Sequence, residues 1–146
     1  MSFLDSLNIS GSALTAERLR MDVISENIAN AQTTRTDSGD PYRRKLVTYE
    51  CADTPESFRS MLEGKISGSG AGGVKVTGIV EDAAPFPEEY DPTSPDADDR
   101  GYVRRPNVDL LKETVDMMAA SRAYDANLTA FENEKEMAQK AIEAGR

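Results

Sequence analysis

Gly68, Gly70 and Gly73 satisfy the letters of the G-x-G-x-x-G phosphate-binding pattern. That site needs its glycines after a strand and at the opening of a helix, where backbone N–H groups meet a pyrophosphate. Here they precede a strand-like run, "VKVTGIV" (74–80), with no β-α-β unit around them, so a flexible connection is expected. "DADDRG" (96–101) has the opening spacing of a calcium loop, but its fifth position is Arg100 and its twelfth, which needs a bidentate Glu, is Asn107. A solvated acidic turn is the expectation there. Cys51 is the single cysteine and histidine is absent, so no intramolecular disulfide can form, and the commonest general base and zinc ligand are missing. Cys51 follows a strand-like segment and reads as a small packing residue. Carboxylates are abundant, but their spacing defines no acid/base pair in a shared pocket, and no G-x-S-x-G nucleophile motif occurs. Asn8-Ile9-Ser10 and Asn127-Leu128-Thr129 match the glycosylation pattern, yet both fall in helical segments of a chain with no visible secretory signal. These residues predict no catalytic group, no metal, no cofactor and no small-molecule substrate.

Function must therefore come from the elements themselves. The chain of 146 residues suits one ordinary domain, and a 38% apolar share without tryptophan argues against a large compact core. A net charge of −9 argues against nucleic acid, which requires clustered Lys and Arg. The opening "MSFLDSLNIS" lacks a basic region followed by a long apolar run, so no cleavable signal is expected, and no run approaches a membrane span. These features predict a soluble protein that handles other proteins.

Residues 3–31 read as one long helix. Phe3, Leu7, Leu14, Met21, Ile24, Ile28 and Ala31 fall on a 3-4 heptad seam interrupted by Ser10 and Glu17, while Leu4, Ile9, Leu19 and Val23 make a second side apolar. Ser2 with Asp5 predicts a capping box. Asn27 and Asn30 stand at the exit of this helix, in "SENIANAQTTRT" (25–36), although Asn is disfavoured inside helices. From Pro106 onward the pattern returns, with Asn107 as the expected N-cap and Asp109 in the first turn. Leu110, Met117, Tyr124, Phe131 and Ala138 recur every seven residues, and Val108, Leu111, Val115 and Met118 make a second stripe. Between the helices, "YRRKLVTYE" (42–50) and "VKVTGIV" read as short strands joined by a polar, Gly-rich stretch ending in "GSGAGG". Residues 84–106 carry five of the seven prolines, so they are expected to run extended without regular structure.

The expected fold is mainly α: N-terminal helix 1–32 and C-terminal helix 107–146 paired as a coiled coil in one helical core, with a small β-hairpin and extended-loop segment at 33–106. An antiparallel pairing uses one face of each helix. A helix apolar on more than one side is usually enclosed by more than one neighbour. With no other long helix in the chain, the second faces point to assembly with other chains.

The order and spacing of several stretches then carry a family likeness over nearly the whole length. "SGSALTAERLRMDVISENIANAQTTRT", "GDPYRRKLV", "GGVKV", "YDPTSPDADDRGYVRRPNVDLL" and "SRAYDANLTAF" together resemble the C-type rod proteins of the bacterial flagellar basal body. The resemblance implies a structural, non-enzymatic subunit of the proximal rod that helps transmit torque from the membrane ring to the distal rod and hook and lines the export channel. It implies neighbours among the B-, F- and G-type rod proteins, the hook–basal-body complement protein, the type III export gate and the membrane ring. It also implies export from the cytoplasm to the envelope without a cleaved signal. The expected assembly interface comprises Leu7, Leu14, Met21, Ile24, Asn27, Ile28 and Asn30 of the first helix. From the second it takes Asn107, Val108, Leu111, Met117, Met118, Arg122, Tyr124, Asn127 and Phe131. A cytoplasmic helical adaptor for export substrates is the competing reading, and it explains the Asn corner and the proline-rich return less well.

Overall fold

The computed structural model describes residues 3–53 and 71–145. In chain order the elements are helix α1 (Phe3–Ala29), strands β1 (Lys45–Asp53), β2 (Ala71–Glu81), β3 (Glu88–Tyr90) and β4 (Tyr102–Arg104), and helix α2 (Leu110–Ala144). Two long helices at the ends and two small two-stranded sheets between them, β1-β2 and β3-β4, make a mainly α protein. Neither helix is long and apolar enough to cross a membrane, as far as the described residues go. Ser2, half of the expected capping box, lies outside the described residues.

The first helix stops two residues short of the expected end. Asn30 folds back onto the last turn, where the Glu26 carbonyl accepts both its backbone N–H (3.1 Å) and its side-chain Nδ2 (3.0 Å). The Asn30 Oδ1 in turn accepts the Thr33 hydroxyl at 3.1 Å, so the chain leaves the helix through a hydrogen-bonded turn. The side chain thus adds a second hydrogen bond to a carbonyl of the last turn.

The second helix corrects the expected cap. It begins at Leu110 with Asp109 as the N-cap, whose Oδ1 accepts the N–H groups of Leu111 (2.9 Å) and Lys112 (3.4 Å). Asn107 cannot cap because its amide is engaged elsewhere: Oδ1 accepts Arg44 N–H at 2.7 Å and Nδ2 donates to the carbonyls of Asp82 (3.3 Å) and Ala84 (3.2 Å).

Three further expectations change. Residues 71–73, read as flexible linker, open β2. Gly73 sits at φ +96° against α1, where a Cβ would lie 2.3 Å from the Ser12 hydroxyl oxygen. That hydroxyl accepts Val74 N–H (3.0 Å) and donates to the Ile9 carbonyl (2.8 Å), so glycine is required for the strand to approach the helix. The rest of the expected linker, 54–70, lies outside the described residues. The proline-rich return contains regular structure after all: Glu88, Glu89 and Tyr90 pair antiparallel with Arg104, Val103 and Tyr102. All five prolines of 84–106 fall outside these six positions, where their missing N–H costs no ladder bond. Cys51, expected to pack, stands exposed on β1, since a two-stranded sheet buries little of either face.

The chain forms two compact units. One combines Met1–Leu19, Thr48–Gly78 and Ala120–Arg146; the other combines Arg20–Val47 and Ile79–Ala119. In the first, Ala16 and Ala120 are buried, Ser6 and Ser10 of α1 donate to Oε1 of Glu134 on α2, and Thr48 bridges to Thr77 and Gly78 across the sheet. In the second, Val23, Ile24, Tyr42 and Val103 are buried together with three polar side chains: Asn27, Arg44 and Glu113.

Candidate functional site

Those three polar side chains form the centre of the second unit. Asn27, 1% exposed, uses its full hydrogen-bonding capacity. Its Nδ2 donates to the Lys45 carbonyl (2.9 Å) and to Oε2 of Glu113 (3.1 Å). Its Oδ1 accepts the Tyr42 hydroxyl and the Lys45 N–H, both at 2.9 Å. The amide thus behaves as a strand neighbour for Lys45 and ties the end of α1 to the start of β1. The expected corner is therefore built from within the chain. Asn27 faces inward and organises it, while the more exposed Asn30 shapes the exit.

Glu113 is fully buried in the first turn of α2. Its Oε1 accepts Nε of Arg44 at 2.6 Å while Oε2 accepts Asn27. A buried carboxylate is tolerated only when paired and hydrogen-bonded, and both of its oxygens are. Two further carboxylates reach the same guanidinium: Asp82 at 3.5 Å and Asp116 at 3.4 Å. The Arg44 main chain is held as firmly, its N–H by Asn107 and its carbonyl by Asp82 N–H at 2.8 Å. Arg44 therefore joins the start of β1, the residues after β2, and α2 at two levels.

The electrostatics follow from this geometry. Burial by itself would lower the Arg44 pKa, but the hydrogen bond and charge of Glu113, then those of Asp82, outweigh it and raise it above the ordinary arginine value. The Asp82 carboxyl is held below its usual range, chiefly by the Ala84 N–H and then by Arg44, against the opposing effect of burial. Burial, followed by the charges of Glu26, Glu113 and Glu81, pushes the Tyr42 phenol up to about 12. Tyr42 is thus a neutral hydrogen-bond donor, which is the form Asn27 requires. Nothing in this arrangement offers a nucleophile to a substrate.

Among the described residues no cluster of His, Cys, Asp or Glu could hold a metal ion. In the former calcium-loop candidate, Oδ1 of Asp98 accepts the N–H groups of Arg100 and Tyr102, both at 2.9 Å, and so builds the turn into β4.

The residues expected at an interface divide by position. Ile24 and Asn27 are buried, and Leu7, Leu14, Met21, Ile28, Asn30, Asn107, Val108, Met117, Tyr124, Asn127 and Phe131 are half-buried. Arg122 is exposed, as are Leu111 (76%) and Met118 (53%), which with Val115 (58%) leave an aliphatic stripe on α2 open to water. Only Asn27 and Asn107 are brought to one place by direct bonds, on adjacent peptides of Lys45 and Arg44. Sequence reasoning missed Tyr42, Arg44, Asp82 and Glu113. One signal was available: Glu113 falls three residues after Leu110 and four before Met117, a charge between two apolar residues of the seam.

The organised site is a polar clamp between the chain's own segments, with apolar surface left over on α2. Comparison with known proteins gives its class. Residues 7–35 match the family described as "Flagella basal body rod protein", and residues 99–144 match "Flagellar basal body rod FlgEFG protein C-terminal". The flagellar basal-body rod protein FlgC of Bacillus subtilis (strain 168) is 51% identical over the full length of both chains. FlgC of Borreliella burgdorferi is 42% identical over 97% of each, and FlgC of Escherichia coli O157:H7 is 38% identical over the full length of both. The chain belongs to the FlgC family of flagellar basal-body rod proteins, whose members are structural, non-enzymatic components of the flagellum.

Proposed function

We propose that this chain is a proximal-rod subunit whose two terminal helices pair as a coiled coil and pack against neighbouring subunits around the export channel, transmitting torque toward the distal rod and hook. Its neighbours in this reading are B-, F- and G-type rod proteins, the hook–basal-body complement protein, the export gate and the membrane ring, and it reaches them by export without a cleaved signal. The observation that carries the reading is the unpartnered stripe of Leu111, Val115 and Met118 on a helix whose opposite side is already locked to its own chain through Glu113. Helix pairing is supported within each unit: Ser6 of α1 bonds Glu134 of α2 in the first, and Asn27 of α1 bonds Glu113 of α2 in the second. Close packing of such helices supplies the stiffness that torque transmission needs.

The test is incorporation. Val115→Asp on the open stripe should leave the free protein folded, because the side chain is 58% exposed, yet abolish motility and remove the subunit from purified basal bodies. Secreted protein that fails to incorporate fits the rod reading. Normal swimming would exclude the stripe as an assembly surface, and a stable cytoplasmic complex with export substrates would favour the adaptor.

A further inference from the structure

We infer that Arg44 sets the rotational phase of the first three turns of α2, deciding which side of them faces the chain itself and which side is presented outward. Over the first three turns, hydrophobic burial does not choose this orientation. In the second unit the inward side of α2 carries Glu113, fully buried, and half-buried Asp116 and Met117, whereas Leu111, Val115 and Met118 are 76%, 58% and 53% exposed. At about 100° per residue, those three lie about 140–200° round the helix from Glu113. Rolling those turns by half a turn would bury the aliphatic stripe and return Glu113 to water, an exchange that burial within the second unit favours.

What opposes the roll is a prebuilt site. The amide of Asn27 bonds the N–H and the carbonyl of Lys45 and receives the Tyr42 hydroxyl, so the end of α1 and residues 42–45 form one body. That body presents one amide N–H and one guanidinium, and Glu113 accepts both, at 3.1 and 2.6 Å. Asp116, one turn along the same side, accepts a second guanidinium nitrogen at 3.4 Å. A carboxylate buried without its cation is strongly disfavoured, so the positive charge makes the polar side of α2 the acceptable one. The inference concerns the free chain and stands whether or not another molecule later covers the stripe.

Thiol labelling reads the phase directly. In full-length protein carrying Cys51→Ser and Val115→Cys, maleimide should modify position 115 rapidly. Adding Arg44→Ala should slow that labelling at least tenfold while circular dichroism keeps its helical signal, because the stripe turns inward. Adding Arg44→Met with Glu113→Leu instead should leave labelling as fast as in the parent, since a leucine holds the same side inward without a partner. Unchanged labelling in Arg44→Ala overturns the inference. So does loss of the helical signal in that variant, which would mean that the pair holds the fold and not the phase, and so does slowed labelling in the doubly apolar variant.

Discussion

Asn27 and Glu113, 86 residues apart in the chain, meet in a buried hydrogen bond of 3.1 Å that links the last turns of α1 to the first turns of α2. Each is satisfied only because the other is there, together with Tyr42, Arg44 and Lys45. An asparagine that propensity places at a fraying helix end is therefore among the most constrained residues of its unit.

The two asparagines of the corner should separate on substitution. Asn27→Ala removes four hydrogen bonds and leaves buried partners unpaired, a loss of at least about 2 kcal/mol in denaturant unfolding. Asn30→Ala, whose side-chain bond to Glu26 is exposed, should cost under about 0.5 kcal/mol. Equal effects would show that the buried amide has no special standing.

Asp109→Ala should shorten α2 at its start and cost about 1 kcal/mol, the usual value of an N-cap. Asn107→Ala should instead expose residues 44 and 82–84 to faster amide exchange and leave the first turn of α2 protected. Exchange mass spectrometry distinguishes the two, and the reverse pattern would restore Asn107 as the cap.

Gly73→Ala meets two obstacles, a left-handed backbone at φ +96° and the Ser12 hydroxyl 2.3 Å from the new methyl. A loss of about 1–3 kcal/mol is expected. Adding Ser12→Ala should recover only part of it, because Val74 N–H then lacks its acceptor and the backbone strain persists. Full recovery of thermal stability in the double variant would assign the whole effect to the clash.

Tyr42 links stability to alkaline pH. Its phenol titrates near about 12 in the folded chain against 10.0 for the ordinary group, so the folded state retains a proton that the unfolded state has lost. The stabilisation is complete below pH 10 and disappears as pH rises through about 12. The difference in unfolding free energy between wild type and Tyr42→Phe should therefore be constant at neutral pH and shrink across that window. A difference independent of pH up to 12 would place the Tyr42 hydroxyl outside the network.

Residue patterning alone was enough to locate the two terminal helices, the approximate positions of β1 and β2 and the surplus apolar stripe of α2. These are local properties: a heptad seam or a β-branched run expresses its geometry within a few residues. The four errors share one physical cause. Asn107 reads as a cap until its amide is required by Arg44 and Asp82, and "AGG" reads as a linker until Gly73 is required by Ser12. The prolines of 84–106 read as breakers until the six paired residues between them align, and Cys51 reads as buried until its sheet proves to have only two strands. In each case the deciding partner lies tens of residues away, and short-range preference carries no information about it. The clamp is the extreme instance. Tyr42, Arg44, Asp82 and Glu113 are ordinary surface residue types, and only the tertiary structure brings them around Asn27, because removing a charge from water is tolerable solely where its counter-charge has already been placed.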